Sequence, residues 1–400
     1  MEAQPSGRRA DKSQGEDFPF SWYERMRHEA PAHEDPRSGV LSVFRYDDVQ
    51  RVLSDYEAFS SQRGRPDGSA ASAESALDTS LISSDPPRHR QLRNLVTQAF
   101  TPRAVAQLAP RITAIIGELL DRVGGAGDGR MDFIEDFAYP LPVIVIAELL
   151  GIPAAERAQF KRWSDAIVSV PSSTPAGGQL NFMDAQREMA LYFSRLMAER
   201  RTEPRDDLIS HLITAEIGGQ RLTEIELIGF CVLLLVAGNE TTTNLLGNAI
   251  LCFDEQPSAY ERLRAQPNLI PSAIEEVLRY RSPVQSMFRT ATGETAIGGV
   301  RTRAGQPVIA WIGSANRDEA QFSNAHVFDI ERTPNRHLAF GHGIHFCLGA
   351  PLARLEAKLA LGALTTRFRT IHRVPGAPLH WMESSIVYGV KALPITFTPE

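Results

Sequence analysis

The chain has 400 residues, of which 43% are hydrophobic and 22% are charged, and its formal net charge is −6 at pH 7. These are the proportions of an ordinary soluble protein, and the net negative charge gives no support for nucleic-acid binding. The three cysteines, Cys231, Cys252 and Cys347, are too few and too scattered for a disulfide framework, so we expect a reducing, cytoplasmic location.

The first segment, residues 1–17, is polar and lacks the apolar core of a signal peptide, so we expect a disordered lead there. The most apolar run, Leu227–Gly238, is too short to span a bilayer and indicates a buried core helix without a membrane anchor. We find no internal repeat and no convincing linker. Residues 18–400 are therefore predicted to form one large domain.

The periodicity of apolar residues predicts a mainly α fold with small β-sheets near the N-terminus and in the C-terminal half. The predicted helices are residues 86–100, 103–123, 139–151, 183–200, 223–253, 269–281 and 350–367. Strand-like segments are short, at Val40–Tyr46, in GVRTRAGQPVIAWIG (299–313) and in ITFTP at the C-terminus.

Two stretches lack periodicity: Ser60–Ser80, which is rich in Ser, Gly and Ala, and Val170–Gln179, which Pro and Gly interrupt. The predicted loops that contain them are residues 60–85 and 170–182. Each is either a surface loop or a mobile lid over a pocket, because long loops in compact domains often serve function.

The stretch DPPRHRQLRNLV opens an early helix after two prolines. His89 and Arg93 are four residues apart, so both side chains lie on one helical face. A solvated basic face would explain the pattern as well as a binding site does.

The stretch AGNETTT, Ala237 to Thr243, places poor helix formers in the middle of a long apolar helix. Thr223 and Glu226 form a capping-box pattern at the start of that helix. A threonine hydroxyl here can compete for a carbonyl one turn back, and we expect a local groove. The alternatives are a kinked buried helix or an acid and an alcohol delivered into an apolar cavity for proton transfer.

The stretch EEVLRY contains Glu276 and Arg279, which are three residues apart and can pair on one helical face. Taken alone, such a pair is usually a surface ion pair of little energetic value.

The stretch FGHGIHFCLG, Phe340 to Gly349, places Cys347 among glycines just before a predicted helix. A helix N-terminus favours a thiolate, and Gly341, Gly343 and Gly349 let the backbone turn sharply beside a large flat group. Zinc bound by His342, His345 and Cys347, a thiol nucleophile with His345 as base, and a packing cysteine are the alternatives. Haem iron bound by cysteine thiolate is the fourth.

The pattern Phe340-x-x-Gly343-x-His345-x-Cys347-x-Gly349 resembles the haem-binding loop of the cytochrome P450 superfamily at every position. The basic helix, the acid–alcohol helix, the E-x-x-R helix and the cysteine loop also follow one another in the order of that family. The resemblance runs from about residue 18 to the C-terminus and is strongest to the soluble bacterial members. It implies one domain of about a dozen helices enclosing a haem.

The resemblance also implies roles for individual residues. Cys347 would be the axial ligand of the haem iron, and Glu240 and Thr241 would manage protons during oxygen activation. Glu276, Arg279 and Arg332 would form a structural lock behind the haem loop. The residues implied to bind the haem are His89, Arg93, Arg289, His345, Phe340, Gly341 and Gly349 together with Cys347.

The substrate pocket is implied by position in the family's usual contact segments and is mostly apolar. Its members would be Leu81, Ile82, Leu234, Ala237, Val284, Gln285, Met287 and Ile386, with Gln285 as a polar anchor. This composition suggests a steroid, terpenoid, fatty acid or macrolide precursor as substrate, and the two unperiodic stretches become candidate access lids.

The resemblance implies a monooxygenase that uses haem b (iron protoporphyrin IX), O2 and NAD(P)H electrons delivered indirectly. No flavin or iron–sulfur segment follows the cysteine loop, so we expect a separate ferredoxin or flavodoxin with its reductase. Arg88, Arg90 and Arg354 are candidates for its docking face, or merely solvated arginines. We expect a monomer. A peroxide-driven peroxygenase and a haem-based sensor are the rival functions.

Overall fold

The computed structural model describes residues 19–62, 80–97, 100–124, 129–168, 182–217 and 219–400. The predicted disordered lead, and residues 63–79 and 170–181 of the two predicted lids, lie outside this described part. Within it the chain forms fourteen α-helices and ten short β-strands. The prediction of a mainly α fold with small sheets is confirmed.

The helices, in chain order, are α1 Phe20–Glu29, α2 Tyr46–Ser54, α3 Arg88–Thr97, α4 Pro102–Gln107, α5 Ala109–Gly124, α6 Pro140–Leu149, α7 Arg157–Val168, α8 Phe182–Thr202, α9 Leu208–Thr214, α10 Glu224–Glu255, α11 Pro257–Ala265, α12 Ile270–Tyr280, α13 Ile312–Ala315 and α14 Ala350–Arg367. The strands are β1 Ala32–Glu34, β2 Leu41–Val43, β3 Phe59–Ser60, β4 Arg130–Asp132, β5 Met287–Ala291, β6 Ala296–Ile297, β7 Val300–Arg301, β8 Pro307–Ala310, β9 Phe368–Arg373 and β10 Pro394–Pro399.

The described residues divide into two compact units, each built from separate stretches of chain. Unit 1 takes its residues from Met1–Ala71, Asn244–Cys347 and Thr370–Lys391. Unit 2 takes them from Ser72–Thr243, Leu348–Arg369 and Ala392–Glu400. Helix α10 contributes to both units. The single domain predicted for residues 18–400 stays a prediction.

Unit 1 is organised around a five-stranded sheet in the order β1-β2-β8-β5-β3. Strand β2 runs parallel to β8, with Leu41 opposite Val308, and the other pairs are antiparallel. Alternate residues of β2 and β8 point into an apolar core, which α2 covers with Val49, Val52 and Leu53. The sheet holds β5, and with it Arg289, at a fixed register.

Unit 2 is mainly helical. Helix α5 has a strongly amphipathic sequence, and its buried residues recur every three or four positions, as a helix packed on one face requires. They are Ile112, Ile115, Ile116, Leu119, Leu120 and Val123. Helices α6 and α14 both pack against α5. Pro140 and Pro142 lie in the first turn of α6, where the missing N–H groups cost nothing.

The predicted helices agree with those observed to within a few residues, and the last prediction, 350–367, coincides with α14. The exception is 103–123, which is two helices separated at Leu108. Thr101 caps the first of them by accepting a hydrogen bond from the Ala104 N–H at 3.2 Å.

Helix α10 has 32 residues and is longer than the apolar run Leu227–Gly238 that it contains. Its mean hydropathy over the most apolar 18 residues is 1.5, so by length and composition it could cross a membrane. Half of that window is buried inside the protein, as in the core helix of a soluble protein, so this single helix of the described part is weak support for a membrane span.

Candidate active site

The backbone of the cysteine loop is closed by its own hydrogen bonds. The Gly341 N–H donates to the Leu338 carbonyl at 2.8 Å, and the Cys347 N–H donates to the Phe340 carbonyl at 2.8 Å. A short 3-10 turn, Gly343–His345, forms the tip between them. This folding leaves Cys347 exposed at the end of the loop.

Two glycines in the loop have backbone angles that other residues avoid. Gly341 has a φ of 73° and Gly343 a φ of 71°. At Gly343 there is also no room for a side chain, because a Cβ there would lie 2.7 Å from the Cα of Ser54 at the end of α2. Gly343 therefore lets the loop lie directly against α2.

Of the three cysteines, Cys347 alone is exposed, while Cys231 and Cys252 are fully buried in α10. Burial raises the pKa of both the Cys231 and the Cys252 thiol to about 12. Both remain thiols at neutral pH, so Cys347 is the one cysteine placed to act as a thiolate ligand.

The side chain of His345 turns to Ser61, whose Oγ lies 2.9 Å from the His345 Nε2. In the described part of the chain, the ligand atoms of His342, His345 and Cys347 do not form a converging group of the kind that holds a metal ion. The zinc alternative therefore loses its ligand set. The nucleophile alternative is also weakened, because the Nε2 of its proposed base, His345, is already hydrogen-bonded to Ser61.

Glu276 and Arg279 form a buried bidentate ion pair, with Arg279 Nε and Nη2 donating to the two carboxylate oxygens at 2.8 and 2.7 Å. Arg332 Nε lies 3.1 and 3.2 Å from the same oxygens. The remaining N–H groups of both arginines donate to backbone carbonyls between residues 316 and 327. This network ties α12 to the segment that leads into the cysteine loop.

Sequence reasoning missed three members of this network. The Asn335 amide and the Asp329 N–H also donate to the Glu276 carboxylate, at 3.1 and 2.8 Å. Asn316, in turn, accepts a hydrogen bond from the Leu338 N–H at 2.6 Å. Asparagines in a loop carry no distinguishing sequence signal, so only the three-dimensional arrangement identifies them.

The implied haem-binding residues of unit 1 lie on different elements. Arg289 is buried on β5, and its Nη1 donates to the Phe288 carbonyl at 2.8 Å. His345 and Phe340 belong to the cysteine loop.

The implied haem-binding residues of unit 2 are His89 and Arg93, one turn apart on α3, and Gly349, the N-cap residue of α14. Burial, with a further contribution from the Arg93 charge, lowers the pKa of His89 to about 4, although Asp85 opposes the shift. His89 is therefore neutral at pH 7, and the positive charge of this face belongs to Arg93.

Helix α10 passes through the AGNETTT stretch without a break. The Thr241 hydroxyl donates to the Ala237 carbonyl one turn back at 2.8 Å, as its sequence position suggested. Gly238 permits a close approach to Ile146 of α6, since a Cβ there would collide with the Ile146 side chain. Ala237 and Thr241 remain partly or fully exposed, whereas Thr243 is buried.

The predicted capping box at the start of α10 is confirmed. The Glu226 carboxylate accepts from the Thr223 N–H at 2.9 Å, and the Glu226 N–H donates to the Thr223 hydroxyl at 3.4 Å. Glu226 also forms an ion pair with Arg88. Arg88 therefore already has a carboxylate partner, whereas Arg90 is exposed, and the docking role of both stays a prediction.

The implied pocket residues differ widely in exposure. Leu81 and Gln285 are buried, Ile82 and Ile386 are 39% and 44% exposed, and Ala237 is exposed. The others, Leu234, Val284 and Met287, are half-buried.

Gln285 has partners inside unit 1 at both ends of its amide. The Tyr23 hydroxyl donates to its Oε1 at 2.7 Å, and its Nε2 donates to the Ser282 carbonyl at 2.6 Å. A role as polar anchor for a substrate stays a prediction, and it would require Gln285 to give up one of these bonds.

These residues fit a haem group. An exposed cysteine on a loop with two left-handed glycines can supply an axial thiolate to iron. Guanidinium and imidazole groups, as at Arg93, Arg289 and His345, suit the two propionate carboxylates. The converging zinc ligands that would favour the competing metal are not found among these residues.

Comparison with known proteins agrees with this geometry. The family model for Cytochrome P450 matches residues 35–390. Cytochrome P450 109 from Bacillus spizizenii is 45% identical over 386 residues, covering 95% of this chain and 92% of that protein.

Two solved structures of CYP109E1 from Bacillus megaterium are also similar, both at 46% identity. The substrate-free structure has a TM-score of 0.89, and the match covers 96% of this chain and 99% of that chain. The complex with testosterone has a TM-score of 0.87, and the match covers 95% of this chain and 97% of that chain. The chain belongs to the cytochrome P450 family and is a haem-dependent monooxygenase that uses O2 to oxidise a small hydrophobic molecule.

Proposed function

We propose that this protein hydroxylates a steroid-sized, largely apolar molecule at a C–H bond. The observation that carries the proposal is the 46% identity to CYP109E1, which binds testosterone in its solved complex. In this chain, the proposal is supported by an apolar surface of unit 1 that contains Val284 and Ile386.

Two segments of unit 1 meet to form that apolar surface. The Gln285 N–H donates to the Ile386 carbonyl at 2.7 Å, and the Tyr388 N–H donates to the Pro283 carbonyl at 2.8 Å. An antiparallel bridge joins Val284 to Val387 between them. Val284 and Ile386 thus lie on neighbouring backbone segments, and an apolar ligand would bury the exposed part of Ile386.

In unit 2, one face of α10 is a second, largely apolar surface. Leu234, Ala237 and Thr241 are separated by three and four residues, so they lie on one face of the helix. All three are at least partly exposed, while Leu235, Asn239 and Thr242 are buried. We assign this face to substrate contact, with Thr241 and Glu240 at its polar end.

In unit 1, Cys347 would hold the haem iron, and Arg289 and His345 would bind propionate. In unit 2, His89 and Arg93 would bind propionate. When bound, the haem supplies the oxygen chemistry, and the protein supplies orientation, exclusion of water and protons. The Thr241 hydroxyl, already held by the Ala237 carbonyl, would pass a proton at its Oγ1, and Glu240 would renew it from the solvent side.

Electrons would come from NAD(P)H through a reductase and a small acidic ferredoxin or flavodoxin. Arg90 on α3 is exposed and supports a basic docking face. Arg90→Gln should raise the KM for ferredoxin several-fold and weaken its salt dependence, with substrate affinity unchanged. A KM insensitive to both salt and Arg90→Gln would remove this assignment.

The substrate proposal is tested by titrating the ferric protein with testosterone, a long-chain fatty acid and a macrolide, and following the spin-state shift. Product mass is then measured with NADH, ferredoxin and reductase, and separately with hydrogen peroxide alone. We expect the tightest shift and a product heavier by one oxygen atom with the steroid and the electron-transfer proteins. Turnover of the fatty acid or macrolide only would overturn the steroid assignment. Product with peroxide alone would favour the peroxygenase, and binding without any product would favour the sensor.

A further inference from the structure

Ser61 lies at the end of an edge strand, next to a residue implied to bind haem. Strands β3 and β5 are antiparallel, with Phe59 opposite Ala291 and Ser60 opposite Thr290. Continuing that register by one residue brings Ser61 opposite Arg289. The Thr290 hydroxyl donates to the Gln62 carbonyl at 3.4 Å, which extends the pairing beyond β3.

The side chain of Ser61 makes a contact with His345 that the sequence does not predict. Its Oγ lies 2.9 Å from Nε2 of His345, which is 284 positions away in the chain. Ser61 is 8% exposed and His345 is half-buried, so the contact is partly shielded from water. His345 stands at the end of the 3-10 turn, two residues before Cys347.

The hydrogen bond has a chemical consequence for the imidazole. A histidine ring is fixed in orientation by the partner of one nitrogen, and this partner decides how the ring presents itself to a second group. Ser61 is itself fixed by the backbone pairing of β3 with β5, so it gives the His345 ring a rigid reference point. The same pairing fixes Arg289, so both residues are held by one piece of sheet.

We propose that Ser61 is a positioning residue for the haem, because its hydrogen bond holds the His345 imidazole in the orientation that binds a propionate. This inference rests on the proposed haem-binding role of His345 and Arg289. Ser61 acts through His345, so its effect on haem retention should vanish when His345 is absent.

The test is the rate at which the ferric holoprotein loses haem to an excess of apomyoglobin, a readout independent of turnover. Ser61→Ala should raise this rate by about tenfold, the effect of losing one hydrogen bond to a group that binds a carboxylate. Ser61→Thr retains the hydroxyl and should restore the slow rate. Ser60→Ala is the matched control, since this neighbour points to the other face of the strand, where its hydroxyl accepts a hydrogen bond from the Gln62 N–H at 3.0 Å. It removes a hydrogen bond that does not involve His345, and it should change the rate by less than about twofold.

A double-mutant cycle separates positioning from a general loss of structure. In the His345→Ala background, Ser61→Ala should produce no further increase in the rate. The thermal unfolding of the apoprotein should be the same for Ser61→Ala and Ser60→Ala. An unchanged rate in Ser61→Ala, or an equal increase with and without His345, would overturn the inference.

The outcomes also distinguish this inference from the haem assignment beneath it. If His345→Ala and Arg289→Ala leave haem loss unchanged, the proposed propionate site is wrong. If those two variants lose haem quickly while Ser61→Ala does not, the propionate site stands and only the role of Ser61 fails.

Discussion

Glu276 and Arg279 form an ion pair in which neither side chain has any exposed surface. The Glu276 carboxylate accepts hydrogen bonds from two guanidinium groups, one amide and one backbone N–H. All of its lone-pair directions are therefore used, which is the condition under which a buried carboxylate is tolerated. The network also positions the segment that leads into the cysteine loop.

Glu276→Gln should destabilise the protein by about 3–5 kcal/mol, because the buried Arg279 and the half-buried Arg332 would lose their counter-charge. Glu275→Gln is the matched control. Glu275 is the preceding residue, and its carboxylate lies 3.0 Å from the Nε2 of His337. We expect that control to cost no more than about 1 kcal/mol. Urea unfolding of the two variants measures the difference, and equal losses would contradict the assigned role of Glu276.

Gly343→Ala should be more damaging than Gly341→Ala. Both positions have a positive φ, which costs alanine about 1–2 kcal/mol. At Gly343 the new methyl group would also press on the Ser54 backbone, whereas at Gly341 the nearest atom, the His345 carbonyl oxygen, is 3.7 Å away. Haem content and thermal stability of the purified variants report the order. A Gly341 variant as impaired as the Gly343 variant would show that the close approach to α2 is unimportant.

Thr241→Ala should retain haem and substrate but release a several-fold larger share of electrons as hydrogen peroxide, because the hydroxyl that passes protons is lost. Thr242→Val is the control, since Thr242 is the adjacent residue and is buried on another face of α10. NADH consumption, peroxide and product are measured together. Unchanged coupling in Thr241→Ala would remove Thr241 from the proton path.

Glu356 on α14 is a buried carboxyl group whose Oε2 has no hydrogen-bond partner among the described residues. Burial raises its pKa to about 8, with no contribution from a neighbouring charge. The group is therefore protonated in the folded protein at pH 7 but ionised in the unfolded chain above pH 4.5. The stability that the protonated Glu356 contributes to the folded protein is fully present below pH 4.5 and is lost as the pH rises towards 8.

Glu356→Gln should therefore gain stability relative to the wild type as the pH rises, by on the order of 3 kcal/mol at pH 8. The difference should shrink towards pH 5. Urea unfolding at pH 5, 6.5 and 8 measures it, with the exposed Glu261→Gln as control. A difference that stays constant with pH would mean that Glu356 is already ionised in the folded state.

Eight of the helices in the described part, among them the long α8, α10 and α14, were predictable from the sequence because the periodicity of apolar residues is local. The other six, α1, α2, α7, α9, α11 and α13, were not predicted. The capping box of Thr223 and Glu226 and the proline in the first turn of α14 mark helix starts that the structure reproduces. The strands were not predictable to the same degree. Strand β3 has two residues, and its partner β5 lies more than 220 positions away, so neither carries an independent local signal.

In the candidate site, too, local spacings were predictable and contacts between distant residues were not. The spacing of Glu276 and Arg279 predicts a pair, but nothing in EEVLRY shows that the pair is buried or that Asn335 completes it. The Ser61–His345 bond joins residues at opposite ends of the sequence, so it emerges only after folding. The predicted docking role of Arg88 overlooked Glu226, which lies 138 positions away.

The central claim is that Cys347 holds a haem iron as thiolate, and the absorption spectrum of the dithionite-reduced protein with carbon monoxide tests it most directly. The account predicts a strongly red-shifted Soret band that is lost in Cys347→Ser and kept in Cys252→Ser. Protein that takes up no haem under adequate supply, or a red-shifted band that survives Cys347→Ser, would contradict it.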